Sequence, residues 1–497
     1  MKFKKILSHL ESITPTLLAL SFVLSFYINF QNQASISNLI IPSAIAIFSV
    51  LSIEFIISFF LKEKEKRLIF ICSTVLAFFT FSEIFKNKLY CGIIFSAMTI
   101  LVFFVILKAD KNLKEVSKYF VLFSLFMFFS SLFFIIGYKI QEGLIYPQVN
   151  SPLILNAENK KENLPDIYYI VPDSYTSSKA LKQYFNYDNS EFIDFLSKKG
   201  FYVTTDSRSN YPKTYLSIAS TLNMEYLDYL SVFKNSDNQN ITSPLINDNN
   251  VKKFLKKQGY KYYQMGSWWE TTSNNPYADK NYNQSVNFFQ YLLLQSTAIN
   301  AFMENVNEGI FKEKQNSPLY QFEKMPEIIK KESPKFVFVH IIAPHTPYMF
   351  GKNCELLGYK DYLTHSEEEN YTNQINCINS KLETAIDQII TNSKKPPIIL
   401  IQSDEGVPFL REELPQQDSW KDASDDILKE KFPIFSAYYM PDASTSNLYP
   451  SISNVNAFRV ILNSYFSTNL PLLEDKNYII PDLKHLYDFI DVTNRVK

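Results

Sequence analysis

The chain has 497 residues, with 49 Lys and Arg against 50 Asp and Glu, for a formal net charge of -1. That length accommodates more than one domain, and the balanced charge excludes the strongly basic surface that nucleic-acid binding requires, so no nucleic-acid partner is expected. A mean hydropathy of -0.10 conceals a split. The first 140 residues are dominated by Phe, Ile, Leu, Val and Ser, and the remainder is a mixed chain rich in Tyr, Asn, Lys and Asp.

Five apolar stretches come first: Ile13–Phe30, Leu39–Leu61, Leu68–Phe85, Leu89–Leu107 and Tyr119–Tyr138. Each is near the length that crosses about 30 Å of hydrocarbon. Five in succession exclude a single signal peptide, and apolar runs this long with such short connections rarely form a core in water. Lys2, Lys4 and Lys5 precede the first stretch, Lys62–Arg67 follow the second, and Lys108, Lys111, Lys114 and Lys118 follow the fourth. The first connection, Gln31–Asn38, is uncharged, and the third carries only Lys86 and Lys88. This alternation places the N-terminus in the cytoplasm of a multi-pass inner-membrane protein, with everything after Lys139 periplasmic or extracellular. Glu54, inside the second stretch, is the one mid-span carboxylate and so a candidate for a substrate role; the plainer readings are that it pairs with a neighbouring helix or faces a wet crevice.

The expected domains are a five-helix transmembrane domain over 1–140, a linker over 141–165 marked by Gly143, Pro147, Pro152 and Pro165, and one exported domain over 166–497. Within the last, three segments read as buried strands running into polar tips: Ile167–Asp173, Phe336–His340 and Ile398–Gly406. Helix-like patterns at Ser177–Tyr184, Ser190–Lys199, Thr214–Leu222, Val251–Gln258 and Ser380–Asn392 alternate with strand-like Phe201–Thr205 and Tyr260–Met265. The fold class is therefore α-helical transmembrane followed by α/β, a mainly parallel sheet sandwiched by helices. The Asn-rich run Asn235–Asn250 reads as a surface loop. Cys72 and Cys91 lie in apolar stretches, whereas Cys354 and Cys377 are the two cysteines of the exported part. Disulfides persist outside the cytoplasm, so Cys354 and Cys377 are a candidate bridge, with two unpaired thiols as the alternative.

In a parallel sheet, ligands bind beyond the carboxyl ends of the strands. Asp173, His340, Asp404 and Glu405 are then expected on one rim, where convergent carboxylates and histidine suit a metal. Thr214 begins a helix after Pro212, where a hydroxyl feels the positive end of the helix dipole and a metal can activate it as a nucleophile; the plain alternative is an N-cap. Ser217, one turn on, is the fallback nucleophile. His345, between Pro344 and Pro347, is placed to meet a leaving group. Asn210, Arg208, Arg459 and Trp269 are weaker substrate candidates, the last from the adjacent tryptophans of Gly266-Ser-Trp-Trp269. His365 and His485 read as surface residues without a role.

The ordered set of Asp173, Thr214, His340-Ile-Ile-Ala-Pro-His345-Thr-Pro-Tyr348 and Asp404-Glu-Gly406, behind five apolar stretches, resembles the alkaline phosphatase superfamily. It looks most like membrane-anchored sulfatase-like hydrolases and transferases such as lipoteichoic acid synthases and phosphoethanolamine transferases. The resemblance implies an alkaline-phosphatase-like fold and metal-dependent transfer of a phosphoglycerol- or phosphoethanolamine-type headgroup, from a membrane phospholipid to a surface glycan or lipid, through a covalent Thr214 intermediate. It implies Asp173, Thr214, Asp404 and Glu405 as metal ligands and His340 and His345 near the transferred phosphate. Relatives commonly carry Asp-His-Gly where this chain has Asp-Glu-Gly, and an oxygen-only ligand set favours manganese or magnesium over zinc. Two other readings use the same residues: a membrane-anchored phosphatase, phosphodiesterase or sulfatase-like hydrolase, and a non-catalytic membrane protein that keeps the fold, for which Glu405 is the argument.

Overall fold

The computed structural model describes every residue except 1, 33, 85–87, 110–112, 146–148, 154, 156–163, 285–287, 302–305, 411–413, 415–418 and 442–446. The apolar N-terminal part forms five helices: α1 (Lys2–Ile28), α2 (Ile40–Ser58), α3 (Lys64–Ile84), α4 (Lys88–Leu107) and α5 (Lys114–Ile145). His9–Ile28, Ile36–Ser58 and Lys114–Ile145 are long and apolar enough to cross a membrane, and Gly92–Leu107 is a shorter apolar helix. Phe48, Phe55, Phe126, Phe133 and many other large apolar side chains stand exposed along them, which suits lipid and not water. Helix α5 continues to Ile145, so the first five residues of the expected 141–165 linker are helical; 146–148, 154 and 156–163 of that linker lie outside the described residues.

The chain divides into two compact units, Met1–Ile145 with Val286–Ile310, and Tyr146–Ser285 with Phe311–Lys497. In the first unit, the Phe288–Gln295 helix packs Phe289 and Leu293 among Val23, Tyr27 and Leu39. The Phe289 ring lies 5.6 Å from Phe26, 5.8 Å from Tyr27 and 6.3 Å from Phe30. Sequence reading treats 166–497 as one block, because a short run such as Phe288–Leu294 has the same pattern whether it packs in a soluble core or against a membrane helix.

The second unit is built on a seven-stranded sheet of β1 (Ile167–Pro172), β2 (Tyr202–Val203), β3 (Lys261–Met265), β4 (Lys280–Tyr282), β5 (Lys335–Ile341), β6 (Ile398–Gln402) and β7 (Ser436–Tyr439). Their order is β2-β7-β6-β1-β5-β3-β4, and only β7 runs against its neighbours. Strands β1, β5 and β6 are buried at every position, as continuous apolar runs covered on both faces must be. On one face the Glu367–Asn392 helix lays Ile375, Ile378, Leu382, Ile386 and Ile389 into the core formed with Tyr168, Ile170, Val337 and Ile399. On the other, the Asn454–Phe466 helix brings Phe458 edge-on to Tyr169 and Phe336. The Asn-rich run is not a plain surface loop: it forms helical turns at Gln239–Thr242 and Ser243–Asn247, because Ile241, Leu245 and Ile246 are buried.

A chain lacking residues 1–145 strips Phe289 and Leu293 of their apolar partners. We expect it to self-associate without detergent in size-exclusion chromatography, while the full chain in micelles elutes as one species. A monodisperse, detergent-free truncation would show that the Phe288–Gln295 helix does not need those partners.

Candidate active site

The register of the three central strands fixes the site. Val171 pairs with His340 and Pro172 with Ile341 across β1 and β5, and Ile170 pairs with Ile401 across β1 and β6. Asp173, His340 and Asp404 therefore reach the same edge of the sheet. Asp173 N–H donates to Ile341 O at 2.9 Å and Asp173 O accepts from His345 N–H at 3.0 Å, which stitches the histidine loop to the end of β1. Gln374 then donates to His345 O at 3.0 Å and accepts from Met349 N–H at 2.6 Å. Ligand atoms of Asp173, His340 and Asp404 all lie within 4.8 Å of one another, and so do those of Asp173, His345 and Glu405. His345 is half-buried and the other four are buried.

His340 is held through Nδ1, which shares a 2.8 Å hydrogen bond with the buried Thr272 hydroxyl. Its Nε2 approaches Asp173 Oδ2 at 3.3 Å without hydrogen-bond geometry and keeps an unused valence. The Trp269 ring meets His340 edge-on at 5.8 Å, so this weaker candidate does border the site.

Ser174 joins the three carboxylates. Its N–H donates to Asp404 Oδ1 at 3.2 Å, and its hydroxyl lies 2.9 Å from Asp173 Oδ1 and 3.2 Å from Glu405 Oε1. The geometry needs a left-handed backbone at Ser174 (φ 63°), uncommon for a residue with a side chain, and the Tyr371 hydroxyl pins its carbonyl at 2.8 Å. Nothing in an Asp-Ser dipeptide announces this.

Burial sets the electrostatics. It raises the Asp404 carboxyl well above its ordinary value, aided by the charges of Asp173 and Glu405, against weaker lowering by Thr214 and the Ser174 N–H. Burial also pushes Asp173 upward, but the charge of His345 and the close imidazole of His340, with the Ser174 hydroxyl, outweigh it and hold that carboxyl below its usual range. Asp404 Oδ2, like His340 Nε2, is buried with no hydrogen-bond partner. Three buried carboxylates with an open oxygen and an open imidazole nitrogen fit a divalent cation.

Thr214 is the first residue of the Thr214–Asn223 helix, and Lys213 takes the cap position without capping it through its side chain. The hydroxyl is thus not spent as the N-cap, and it lies near enough to Asp404 to favour that group's charged form. Ser217 is different. Its hydroxyl is buried and donates to the Asp404 backbone carbonyl at 2.6 Å, so the fallback nucleophile is instead a support for the Asp404 turn.

Glu405 meets a residue that sequence reading passes over. Lys431, the last residue of the Asp425–Lys431 helix, places Nζ 3.0 Å from Glu405 Oε1, both side chains buried. The same ammonium donates to Val407 O at 2.9 Å. Gly406 makes this approach possible: a Cβ there would sit 1.9 Å from the Lys431 carbonyl oxygen. A lysine 26 positions after its partner, in a charged helix, looks in sequence like solvated surface.

Three candidates do not join the cluster. Asn210 brackets backbone, accepting from Val455 N–H at 2.8 Å and donating to Lys476 O at 2.8 Å. Arg208 lines a separate cleft with Lys179, Asp206 and Lys429. Arg459 is buried and donates to Met224 O and Pro471 O, so it ties loops together in place of binding an anion. Cys354 and Cys377 form the disulfide, which anchors the loop after the histidines to the Glu367–Asn392 helix.

The Sulfatase family profile matches residues 165–455. No curated protein matches the chain. Among solved structures, the C-terminal periplasmic domain of EcEptC from Escherichia coli is similar at 14% identity, over 69% of this chain and 97% of that one, with a TM-score of 0.45. The integral membrane lipooligosaccharide phosphoethanolamine transferase A (EptA) from Neisseria meningitidis is similar at 12% identity, over 92% of this chain and 95% of that one, with a TM-score of 0.40. A Bacteroides thetaiotaomicron protein of glycosaminoglycan metabolism (BT33494S-sulf) is similar at 15% identity, over 66% and 83%, with a TM-score of 0.41.

Gly406→Ala forces the Glu405 corner away from Lys431. We expect a loss of about 1–3 kcal/mol, read as a lower thermal midpoint, and an unchanged midpoint would contradict the close approach. In chelator-treated protein, a raised Asp404 pKa stabilises the fold below the unfolded value near 3.9 and is lost as pH rises through the folded value. Melting temperature should therefore fall as pH climbs from about 4 into the neutral range, and Asp404→Asn should flatten that slope.

Proposed function

This chain belongs to the Sulfatase family and is an enzyme of the alkaline phosphatase superfamily, and from that premise we propose that it transfers a phosphate-containing lipid headgroup to a surface glycan or lipid. The headgroup is of the phosphoglycerol or phosphoethanolamine type and the donor is a membrane phospholipid. One observation carries the reading: the Thr214 hydroxyl stands uncapped at a helix N-terminus beside Asp404, whose Oδ2 has no partner. Anchoring supports a lipid donor, since an enzyme on the membrane shares a surface with its substrate. The Cys354–Cys377 bridge supports a periplasmic or extracellular second unit, with the N-terminus in the cytoplasm.

Asp173, Asp404 and Glu405 hold the cation with Thr214, and His340 and His345 complete its surroundings. The imidazoles beside the carboxylates make the donor set mixed and not oxygen-only, which suits manganese or zinc better than magnesium. When bound, the cation favours the ionised hydroxyl and neutralises charge on the transferring group. Thr214 Oγ1 forms a bond to phosphorus as the bond from phosphorus to the diacylglycerol oxygen breaks. The Thr214 proton leaves to Asp404, and His345, the accessible histidine, protonates the departing oxygen. An acceptor hydroxyl then gives its proton to His345 and bonds to phosphorus as the bond from Thr214 Oγ1 to phosphorus breaks, and Thr214 takes back the proton held by Asp404. The helix N-terminus at Thr214 offers backbone N–H groups to the phosphoryl oxygens. Trp269 borders the space beside His340 and is placed to contact the headgroup.

Intact-mass spectrometry of the full chain in micelles, with manganese and mixed phospholipids, tests this. A headgroup-phosphate adduct is expected on Thr214, absent from Thr214→Ala and retained in Ser217→Ala. Metal-loaded protein that forms no adduct but hydrolyses phosphate esters would replace transfer by hydrolysis.

A further inference from the structure

Three carboxylates surround the candidate metal position, yet a divalent cation supplies only two positive charges. Asp173, Asp404 and Glu405 carry a formal charge of -3 when ionised. Among the described residues, a buried lysine touches that set: Lys431, with Nζ 3.0 Å from Glu405 Oε1. Its position is built and not incidental. The side chain is buried, the ammonium has a second partner in Val407 O, and the Trp420 ring lies 6.0 Å away. The Lys431 backbone is pressed onto Gly406, where no side chain fits.

We propose that Lys431 is a positioning residue whose fixed charge makes the Glu405–Lys431 pair behave as one neutral ligand. The carboxylate set then presents -2 to the metal, matched to a single divalent cation. This inference rests on the metal-dependent reading above. A lysine-paired carboxylate then contributes the same net charge as a neutral ligand such as imidazole.

Isothermal titration of Mn²⁺ into the full chain in micelles, with thermal melting of the metal-free protein in parallel, separates the possibilities. Lys431→Met leaves -3 at the site and should tighten Mn²⁺ binding by about tenfold or more while lowering the metal-free melting temperature. Glu405→His leaves Lys431 uncompensated and should weaken binding by about tenfold or more. Glu405→His with Lys431→Met should return to within about threefold of the native dissociation constant, and Lys431→Arg, which keeps the charge, should stay close to it. If Lys431→Met fails to fold, the comparison of Glu405→His with and without Lys431→Met carries the test, because the double variant buries no unpaired charge. Weaker binding in both single variants, or a double variant no better than Glu405→His, overturns the charge-matching role and leaves the proposed function standing. Native protein that binds no Mn²⁺ overturns both.

Discussion

Like charges gathered at the carboxyl edge of a parallel sheet are the constraint on which the second unit is organised. Strands β6, β1 and β5 lie side by side in one direction, so the residues that follow them cannot avoid one another. Asp173, Asp404 and Glu405 end there, out of water, where their repulsion is little screened. Much of the surrounding structure answers that repulsion. Ser174 adopts a left-handed backbone to supply N–H and hydroxyl to all three, Ser217 and Ser403 hold the turn that carries Asp404 and Glu405, and Lys431 meets the outermost carboxylate.

The supports of the site come from far along the chain. Asn454 donates to Ser403 O from the helix on one face, while Gln374 and Tyr371 reach in from the helix on the other. Each layer of the sandwich thus has a hand on the edge of the sheet. Groups held this way need little reorganisation when charge develops on a substrate, which is how preorganised sites lower barriers.

The central strands were legible from sequence because a buried parallel strand leaves a continuous apolar run ending in polar residues. Local chemistry likewise marked Thr214 as a helix start and His345 as a residue held between prolines, while their roles came from the family resemblance. Ser174, Thr272 and Lys431 were not. Their importance arises from what lies opposite them, 231 residues away for Ser174 and Glu405, and short polar residues in turns carry no periodic signal. Asn210 and Arg459 show the converse. Amide and guanidinium groups that look free to bind an anion also satisfy buried carbonyls, and Asn210 and Arg459 are committed to that. The helix Phe288–Gln295 escaped because apolar pattern cannot distinguish lipid-side packing from a soluble core.

The division of the chain has a consequence for how the outer unit is retained. The polypeptide passes between the two units at 145/146, again at 285/286, and again at 310/311. A protein attached by one stalk is released by one proteolytic nick. Here a cut anywhere in 146–165 leaves both later crossings intact, with Phe289 and Leu293 still seated among α1 side chains. The second unit is joined to the first at three points along the chain, so separating the two takes more than one cleavage, and a chain cut once within 146–165 keeps both later connections.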